Sequence, residues 1–231
     1  MAVHVIFASV APRLRLALTV AVLCATVMVA IVIISVRGGV STSAGSPLVK
    51  VGNFYGATLP AAFPPVDFAL ADQSRKTIRL AAYAGQVVVA TFINSTCQNT
   101  CPSVVQQLST AIAELPHAVP ALAISVDPKQ DTPANVDAFL VKEQVVGQLH
   151  YLVGPRRTLE PIWRKFGVRP QQLINSPKSD HSVDVVIFDK TGRARVGYTD
   201  LTTMDPDAIA ADIRTLQAEP EPTSPPKRVD L

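Results

Sequence analysis

The sequence predicts a three-layer α/β domain with a mixed central sheet, tethered by one N-terminal transmembrane helix. Two continuous apolar runs, Gln86–Ile93 and Ala121–Val126, have the pattern of strands buried on both faces of a sheet. Segments with helical features alternate with these strands, as in three-layer α/β domains. Near the amino terminus, Leu16–Val36 has 18 apolar residues among 21 and no charged residue, which is typical of a membrane span.

Composition and charge exclude several classes of protein. Outside the apolar run the chain is about 44% apolar, an ordinary value for a globular protein, so a disordered or fibrous chain is excluded. Residues 1–45 contain three arginines and no acidic residue, whereas residues 46–231 contain equal numbers of basic and acidic residues. Because the predicted folded part is neutral, we expect no nucleic acid binding.

The run Leu16–Val36 is long enough to be an uncleaved anchor. A helix of this length rises about 31 Å, close to the ~30 Å hydrocarbon core of a bilayer. Arg13 and Arg15 precede the run and Arg37 alone follows it closely, so residues 1–15 are expected in the cytoplasm and the folded domain outside the cell membrane. A signal peptide cleaved near Ser41–Ser46 is the alternative, but its apolar region is normally only about 7–15 residues.

Beyond the span we predict a linker over 37–64, rich in Gly, Ser, Ala and Pro, and one domain over 65–218. Residues 219–231 contain four prolines and few apolar residues, which predicts a disordered tail.

The domain begins with a predicted hairpin and continues with alternating strands and helices. Thr132-Pro133 and Asp205-Pro206 each combine a capping side chain with proline at the first helical position, so both predict helix starts. The order β-α-β-α-β-α-β-β-α after the hairpin suits a thioredoxin-like fold. The predicted elements are Phe68–Leu70 with Thr77–Leu80, strand Gln86–Ile93, helix Pro102–Leu115, strand Ala121–Val126, the helix from Thr132, strand Leu149–Val153, helix Leu159–Phe166, hairpin Asp184–Phe188 with Ala194–Tyr198, and helix Ala208–Leu216.

Two of the three cysteines, Cys97 and Cys101, lie where the first buried strand meets the first helix; the third, Cys24, lies in the apolar run. Cysteines four residues apart can share one side of a helical turn, so the two thiolates can reach one ion or each other. The positive end of a helix lowers a thiol pKa and favours the thiolate, which binds metals and attacks disulfides. A metal site, a redox pair, a structural disulfide and two inert cysteines all remain open here.

Four histidines are candidates for a third ligand. His4 precedes the membrane span, and His117 follows the first helix at the end remote from the cysteines. His150 lies in a short strand pattern, which favours a hydrogen-bonded histidine in or at the edge of the core. His181 follows the irregular stretch Pro170–Ser179 and precedes a strand, in the kind of loop that can bring a ligand to a site built elsewhere. The residues alone favour His181 among the four without deciding that it is a ligand.

Several motifs occur in the same order as in one known family. They are Phe68–Gln73, Thr91–Ile93 before Cys97-x3-Cys101-Pro102, Ile124–Pro128 with Asp131–Pro133, and Asp180–Ser182. Together they resemble the Sco/SenC family, membrane-tethered thioredoxin-fold proteins that handle copper during cytochrome c oxidase assembly. The similarity covers about Phe63–Ala218.

This resemblance implies three copper ligands, Cys97, Cys101 and His181. Two thiolates and an imidazole favour Cu(I), and can hold Cu(II) if a further ligand joins. The resemblance implies a carrier rather than a turnover enzyme, which receives copper from an unidentified donor and delivers it to the binuclear copper (CuA) site of oxidase subunit II.

The sequence departs from the family pattern without losing a ligand. Gln98 stands where many members have proline, and Leu152-Val153-Gly154 replaces the usual Leu-Thr-Gly. Asp127 and Asp131 are expected to cap or brace loops rather than to bind metal.

Two other functions fit the same fold. A membrane-tethered thiol-disulfide oxidoreductase that reduces the cysteines of subunit II would need Cys97 and Cys101 but not His181. A thiol peroxidase would need a cation beside its cysteine, and no Arg or Lys occurs between Arg79 and Lys129, so that function is disfavoured.

Overall fold

The computed structural model describes residues 49–61, 63–170, 185–201, 203–224 and 227–231. The predicted span Leu16–Val36, most of the linker and His181 lie outside the described residues. Among the residues that are described, no helix is both long enough and apolar enough to cross a membrane.

The described residues form strands, α-helices and one short 3-10 helix, Leu80–Tyr83. The strands are β1 (Ala57–Thr58), β2 (Val66–Asp67), β3 (Ala69–Ala71), β4 (Thr77–Arg79), β5 (Val88–Ile93), β6 (Ala121–Ser125), β7 (His150–Leu152), β8 (Val185–Phe188), β9 (Ala194–Tyr198) and β10 (Val229–Asp230). The helices are α1 (Thr100–Ala113), α2 (Pro133–Lys142), α3 (Arg156–Lys165) and α4 (Pro206–Ala218).

The central sheet has the strand order β1-β9-β8-β5-β6-β7. Strands β5, β6 and β7 are parallel to one another, whereas β8 is antiparallel to β5, β9 to β8 and β1 to β9. Strand β5 lies between β8 and β6, and all of its residues are buried. Burial on both faces explains its unbroken apolar sequence. The predicted α/β fold with a mixed central sheet is confirmed, and it is consistent with a thioredoxin-like fold.

Alternate residues of β5 face two different cores, because successive strand side chains point to opposite faces of a sheet. Ala90 and Phe92 pack with α3 and with the hairpin formed by β3 and β4. On the other face, Val89 packs with α1 and α4, and Ile93 packs with α1 and α2. One helix and a hairpin therefore cover one face, and three helices cover the other.

Helices α2 and α4 begin at the capping residues expected from the sequence. Thr132 Oγ1 accepts a hydrogen bond from the Asn135 N–H at 3.3 Å, and Asp205 Oδ1 accepts one from the Asp207 N–H at 2.8 Å. Proline follows each cap at the first helical position, where no backbone donor is needed. By contrast, α1 begins two residues before the predicted start, and α3 begins three residues before it.

The carboxyl ends of the parallel strands meet at one edge of the sheet, which we call the site edge. The segment that carries Cys97 follows β5 at this edge, and the segment that carries Asp131 follows β6. Strand β8 also begins here, because Val185 pairs with Thr91 near the end of β5. The site edge therefore holds the segment with Cys97, the segment with Asp131 and the start of β8.

The end of the chain differs from the predicted disordered tail, residues 219–231. Strand β10 pairs in parallel with β2, and the Leu231 N–H donates to the Asp67 carbonyl at 2.9 Å. The Glu219 carboxylate accepts two hydrogen bonds from the Arg195 guanidinium, at 2.8 and 2.9 Å. Leu231 also packs against the core. Local composition predicted disorder, but contacts with residues distant in sequence hold this segment on the domain.

Candidate metal and redox site

The segment between β5 and α1 forms a tight turn that ends at Cys97. The Cys97 N–H donates to the Asn94 carbonyl at 3.3 Å. The Asn94 side-chain oxygen accepts from both the N–H and the hydroxyl of Thr96, each at 3.1 Å. All three bonds run from Thr96 and Cys97 back to Asn94 and close the turn just before α1.

The Cys97 sulfur takes the place of a capping group at the start of α1. It accepts a hydrogen bond from the Cys101 N–H at 3.2 Å, whereas the side chain of Asn99, the residue before the helix, makes no capping bond. The first N–H groups of a helix have no partner within the helix, so an acceptor here stabilises the helix start. This contact accounts for the helix beginning at Thr100, ahead of Pro102.

The hydrogen bonds that Cys97 receives at the start of α1 make its thiol acidic. A hydrogen bond from the Cys101 thiol lowers the pKa of Cys97 most, burial raises it, and the backbone N–H groups of Cys101, Asn99 and Thr100 lower it further, with a net pKa of about 6. At neutral pH Cys97 is therefore largely the thiolate, the form that binds metal or attacks a disulfide.

The two cysteines differ in exposure, and neither is in a disulfide. Cys97 is half-buried and Cys101 is 8% exposed. Cys101 packs with Val105 of α1 and with Tyr151 of β7 in the core beneath the helix. Cys97 is thus the sulfur that a partner molecule reaches first.

A buried polar network lies beneath the turn. The Asp131 carboxylate accepts hydrogen bonds from the Ser95 N–H at 2.7 Å, the Ser95 hydroxyl at 2.6 Å and the Ser125 hydroxyl at 2.5 Å. Burial raises the pKa of Asp131, and these donors act in the opposite direction. The Tyr151 hydroxyl, also buried, donates to the Ile93 carbonyl at 3.5 Å and interacts with the Asp131 carboxylate, whose pKa it lowers. Asp131 therefore braces a loop, as the sequence analysis expected.

Sequence reasoning missed Ser95, Ser125 and Tyr151 as parts of this network. Ser125 offered a signal, because it is the one hydroxyl residue in the otherwise apolar run Ala121–Val126. A polar side chain inside a buried strand requires a hydrogen-bond partner, and here that partner is Asp131.

The described histidines lie away from the cysteines. His150 begins β7, at the edge of the sheet opposite the site edge, and its Nδ1 lies 3.1 Å from the Asp72 carboxylate. His117 is exposed in the segment between α1 and β6. Within the described residues, no group of three or more His, Cys, Asp or Glu side chains could hold a metal ion. The described part of the chain thus supplies two of the three predicted ligands, Cys97 and Cys101.

A free cysteine pair at the start of a helix, on a mixed sheet covered on both faces, is consistent with a thioredoxin-like fold and suits thiol or metal chemistry. Residues 59–218 match the family model SCO1/SenC, which covers well over half of the chain. The protein belongs to the SCO1/SenC family.

Solved structures of Sco proteins share the fold. Apo Sco1 of Thermus thermophilus is 25% identical over 71% of this chain and 96% of that chain, with a TM-score of 0.56. Yeast Sco1 with copper bound is 17% identical over 69% and 96%, with a TM-score of 0.57. BsSco, described as a member of the Sco family of cytochrome c oxidase assembly proteins with a disulfide switch, is 20% identical over 70% and 97%, with a TM-score of 0.56. The comparison with curated proteins found no match.

Proposed function

We propose that this protein is a copper carrier that acts in the assembly of cytochrome c oxidase. The observation that carries the proposal is the acidic Cys97 thiol, held four residues from Cys101 at the start of α1. Membership of the SCO1/SenC family and the copper held by yeast Sco1, a protein of the same fold, support it. In this proposal the protein binds, holds and releases its cargo and catalyses no turnover.

The chemistry of the two sulfurs fits copper. Thiolates are soft ligands that favour Cu(I), and the low pKa of Cys97 means that little proton release opposes metal binding at neutral pH. A structural zinc site usually requires four protein ligands. Cys97, Cys101 and one imidazole make three, a number that suits Cu(I) and leaves room for one more ligand on Cu(II).

We propose His181 as the third ligand. Val185 is the first residue of β8, and it pairs with Thr91 at the site edge. His181 precedes Val185 by four residues, a stretch that spans at most about 14 Å. Cys97 in turn follows the end of β5 by four residues. The connectivity of the sheet therefore supports His181 as a ligand shared with the cysteine pair.

In the proposed cycle the protein receives copper outside the cytoplasmic membrane and passes it to the binuclear copper site of oxidase subunit II. The description of BsSco as an oxidase assembly protein supports the link to the oxidase. Half-exposed Cys97 suits ligand exchange, because an incoming ligand reaches the metal from the solvent side while buried Cys101 still holds it. Oxidation of the two thiols to a disulfide would remove both sulfur ligands, so metal occupancy and redox state are linked.

Copper titration of the reduced protein tests the carrier function. We expect one copper per chain in the wild type and no tight binding in Cys97→Ala or Cys101→Ala, because each variant leaves at most one thiolate and one imidazole. Unchanged stoichiometry and affinity in either variant would contradict the site.

A second candidate function is reduction of the disulfide in subunit II, favoured by the same acidic thiol. The Cys97 thiolate would attack the substrate disulfide, form a mixed disulfide and release one substrate thiolate. Cys101 would then attack Cys97, release the second substrate thiolate and leave a Cys97–Cys101 disulfide. An external dithiol reductant is needed to restore the reduced pair.

The variant His181→Ala separates the two functions, since it removes a proposed copper ligand and leaves both thiols intact. For a carrier we expect copper affinity to fall at least about tenfold, or about 1.4 kcal/mol, together with oxidase activity in a deletion background. A reductase would retain its rate, which depends on thiolate fraction and access. Normal oxidase activity from a copper-free His181→Ala protein would reject the carrier function and support the reductase.

A further inference from the structure

Asp131 is buried at the site edge and joins the ends of two parallel strands. Its carboxylate accepts one hydrogen bond from Ser125, the last residue of β6. It accepts two more from Ser95, which lies two residues beyond β5. Asp131 is 6% exposed, so water does not compete for these donors. Removing the carboxylate leaves the three donors of Ser95 and Ser125 without this acceptor in the interior, which is costly.

The backbone at Asp131 is also held in place by a hydrogen bond and by the adjacent helix. The Asp131 N–H donates to the Asp127 carbonyl at 2.9 Å. The next residue, Thr132, caps α2. The side chain of Asp131 is thus fixed relative to α2 and β6, two elements that lie outside the cysteine segment.

The hydrogen bonds between Ser95 and Asp131 connect Asp131 to the turn that carries the Cys97 sulfur. Ser95 lies inside the turn in which the Cys97 N–H bonds to the Asn94 carbonyl. Cys97 in turn places its sulfur 3.2 Å from the Cys101 nitrogen. The Val126 N–H donates to the Ile93 carbonyl at 2.9 Å and holds only the root of the turn, before Asn94. If Ser95 is released, the turn itself loses two hydrogen bonds to Asp131, and the sulfur loses its fixed position at the helix start.

We propose that Asp131 is a positioning residue that holds the Cys97 sulfur against the first turn of α1. It acts through Ser95 and the turn, and it is not a metal ligand. The proposal concerns the protein with reduced cysteines and no metal. Its consequence for copper rests on the proposed carrier function.

Asp189 provides a matched control at the other edge of the sheet. It is also 6% exposed, and it accepts hydrogen bonds from the Thr191 N–H at 2.9 Å and the Thr191 hydroxyl at 2.6 Å, the same pair of donors that Ser95 offers to Asp131. It follows Phe188, which pairs with Val88 at the beginning of β5. Its carboxylate also accepts from the Arg193 N–H and pairs with the Arg195 guanidinium, each at 3.1 Å. Replacing Asp189 therefore removes a buried brace with at least as many contacts, far from the cysteines.

The test is amide hydrogen exchange in the full-length, metal-free, reduced protein in detergent micelles, followed by mass spectrometry of peptides that cover residues 94–101 and 189–193. For Asp131→Ala we expect exchange at 94–101 to accelerate at least tenfold, with less than a twofold change at 189–193. For Asp189→Ala we expect the reverse pattern.

Asp131→Asn distinguishes geometry from charge. Its carboxamide oxygen still accepts from Ser95, and the Ser125 hydroxyl can turn to accept from the amide nitrogen. We therefore expect it to retain most of the protection at 94–101. If Asp131→Ala does not fold, Ser125→Ala replaces it, with an expected acceleration of threefold or more at 94–101.

Copper titration of the same variants gives a second readout. We expect at least a tenfold loss of copper affinity in Asp131→Ala, less than a threefold loss in Asp131→Asn and less than a twofold change in Asp189→Ala. Unchanged exchange at 94–101 in Asp131→Ala, or equal acceleration there in Asp189→Ala, overturns the positioning role. A wild type that binds no copper contradicts the carrier function and leaves the exchange result to decide the role of Asp131.

Discussion

Cys97 and Cys101 have different chemical environments although the sequence presents them as a symmetric pair. Cys97 receives hydrogen bonds from the helix start and has a pKa of about 6, whereas Cys101 is buried and donates its N–H to Cys97. The spacing of four residues predicts that both can reach one ion. It contains no information on which sulfur is the acceptor, because that depends on the turn from Asn94 to Cys97.

The acidity of Cys97 predicts that stability depends on pH. Its pKa falls from an ordinary value near 9.0 to about 6 on folding, so between these pH values the folded state binds fewer protons than the unfolded state. The free energy of unfolding should therefore rise as pH increases from about 6 to about 9, and this contribution is lost as pH falls through about 6. Solvent screening of the half-exposed thiol limits the size of the effect.

Denaturant unfolding of the reduced protein at pH 6, 7.5 and 9 measures this dependence. The matched variant Cys97→Ser cannot form a thiolate, so the difference between wild type and variant should grow with pH. Parallel pH profiles for the two proteins would contradict the low pKa.

At the scale of secondary structure, the sequence predicts best the elements that have a local signal, either a long apolar run or a helix cap. Strands β5 and β6 follow from long apolar runs, and the starts of α2 and α4 follow from Thr132-Pro133 and Asp205-Pro206. The strands β1 and β10 have two residues each and exist because β9 and β2 pair with them. No local pattern predicts a strand of that length.

Truncation can test whether the end of the chain, residues 227–231, is held on the domain. Removing residues 227–231 eliminates the hydrogen bonds from the Val229 N–H to the Pro65 carbonyl and from the Leu231 N–H to the Asp67 carbonyl, both 2.9 Å, and exposes the core beneath Leu231. At roughly 0.5–1.5 kcal/mol for each bond, we expect a loss of about 1–3 kcal/mol. The corresponding fall in Tm is about 2–12 °C for a domain of this size.

Thermal unfolding measured by circular dichroism checks this prediction. The control is Asp230→Asn, which removes only the ion pair with Arg79, 3.2 Å long and largely exposed, so little change is expected. A truncated protein with the Tm of the wild type would support the disordered tail that composition predicts.

At the scale of the whole molecule, the described residues contain two of the three proposed ligands. Cys97 and Cys101 lie together at the site edge, where strand order and pairing bring the ends of β5 and β6 and the start of β8. A loop histidine is harder to predict than a strand, because no periodicity fixes where His181 lies. The motif resemblance singled it out, and the entry of β8 at the site edge is the structural feature that supports it.

The distribution of charge and apolar residues leads us to expect that the protein is attached to a membrane. Residues 46–231 carry no net charge, so we expect no electrostatic attraction of the folded domain as a whole to a membrane surface. We expect Leu16–Val36 to provide the attachment. In 1 M salt, interactions between exposed charges are screened beyond about 3 Å. Salt does not displace 18 apolar residues from a bilayer.

The full-length protein should therefore remain in the membrane fraction after a wash with 1 M salt, as measured by immunoblotting of the pellet and the supernatant. A variant without residues 1–45 is the control, and it should appear in the soluble fraction because it lacks both the apolar run and its flanking arginines. Protease added to intact spheroplasts should digest the folded domain, since Arg13 and Arg15 favour a cytoplasmic amino terminus. A shortened soluble protein that begins near Ser41–Ser46 would instead show that the run is a cleaved signal peptide.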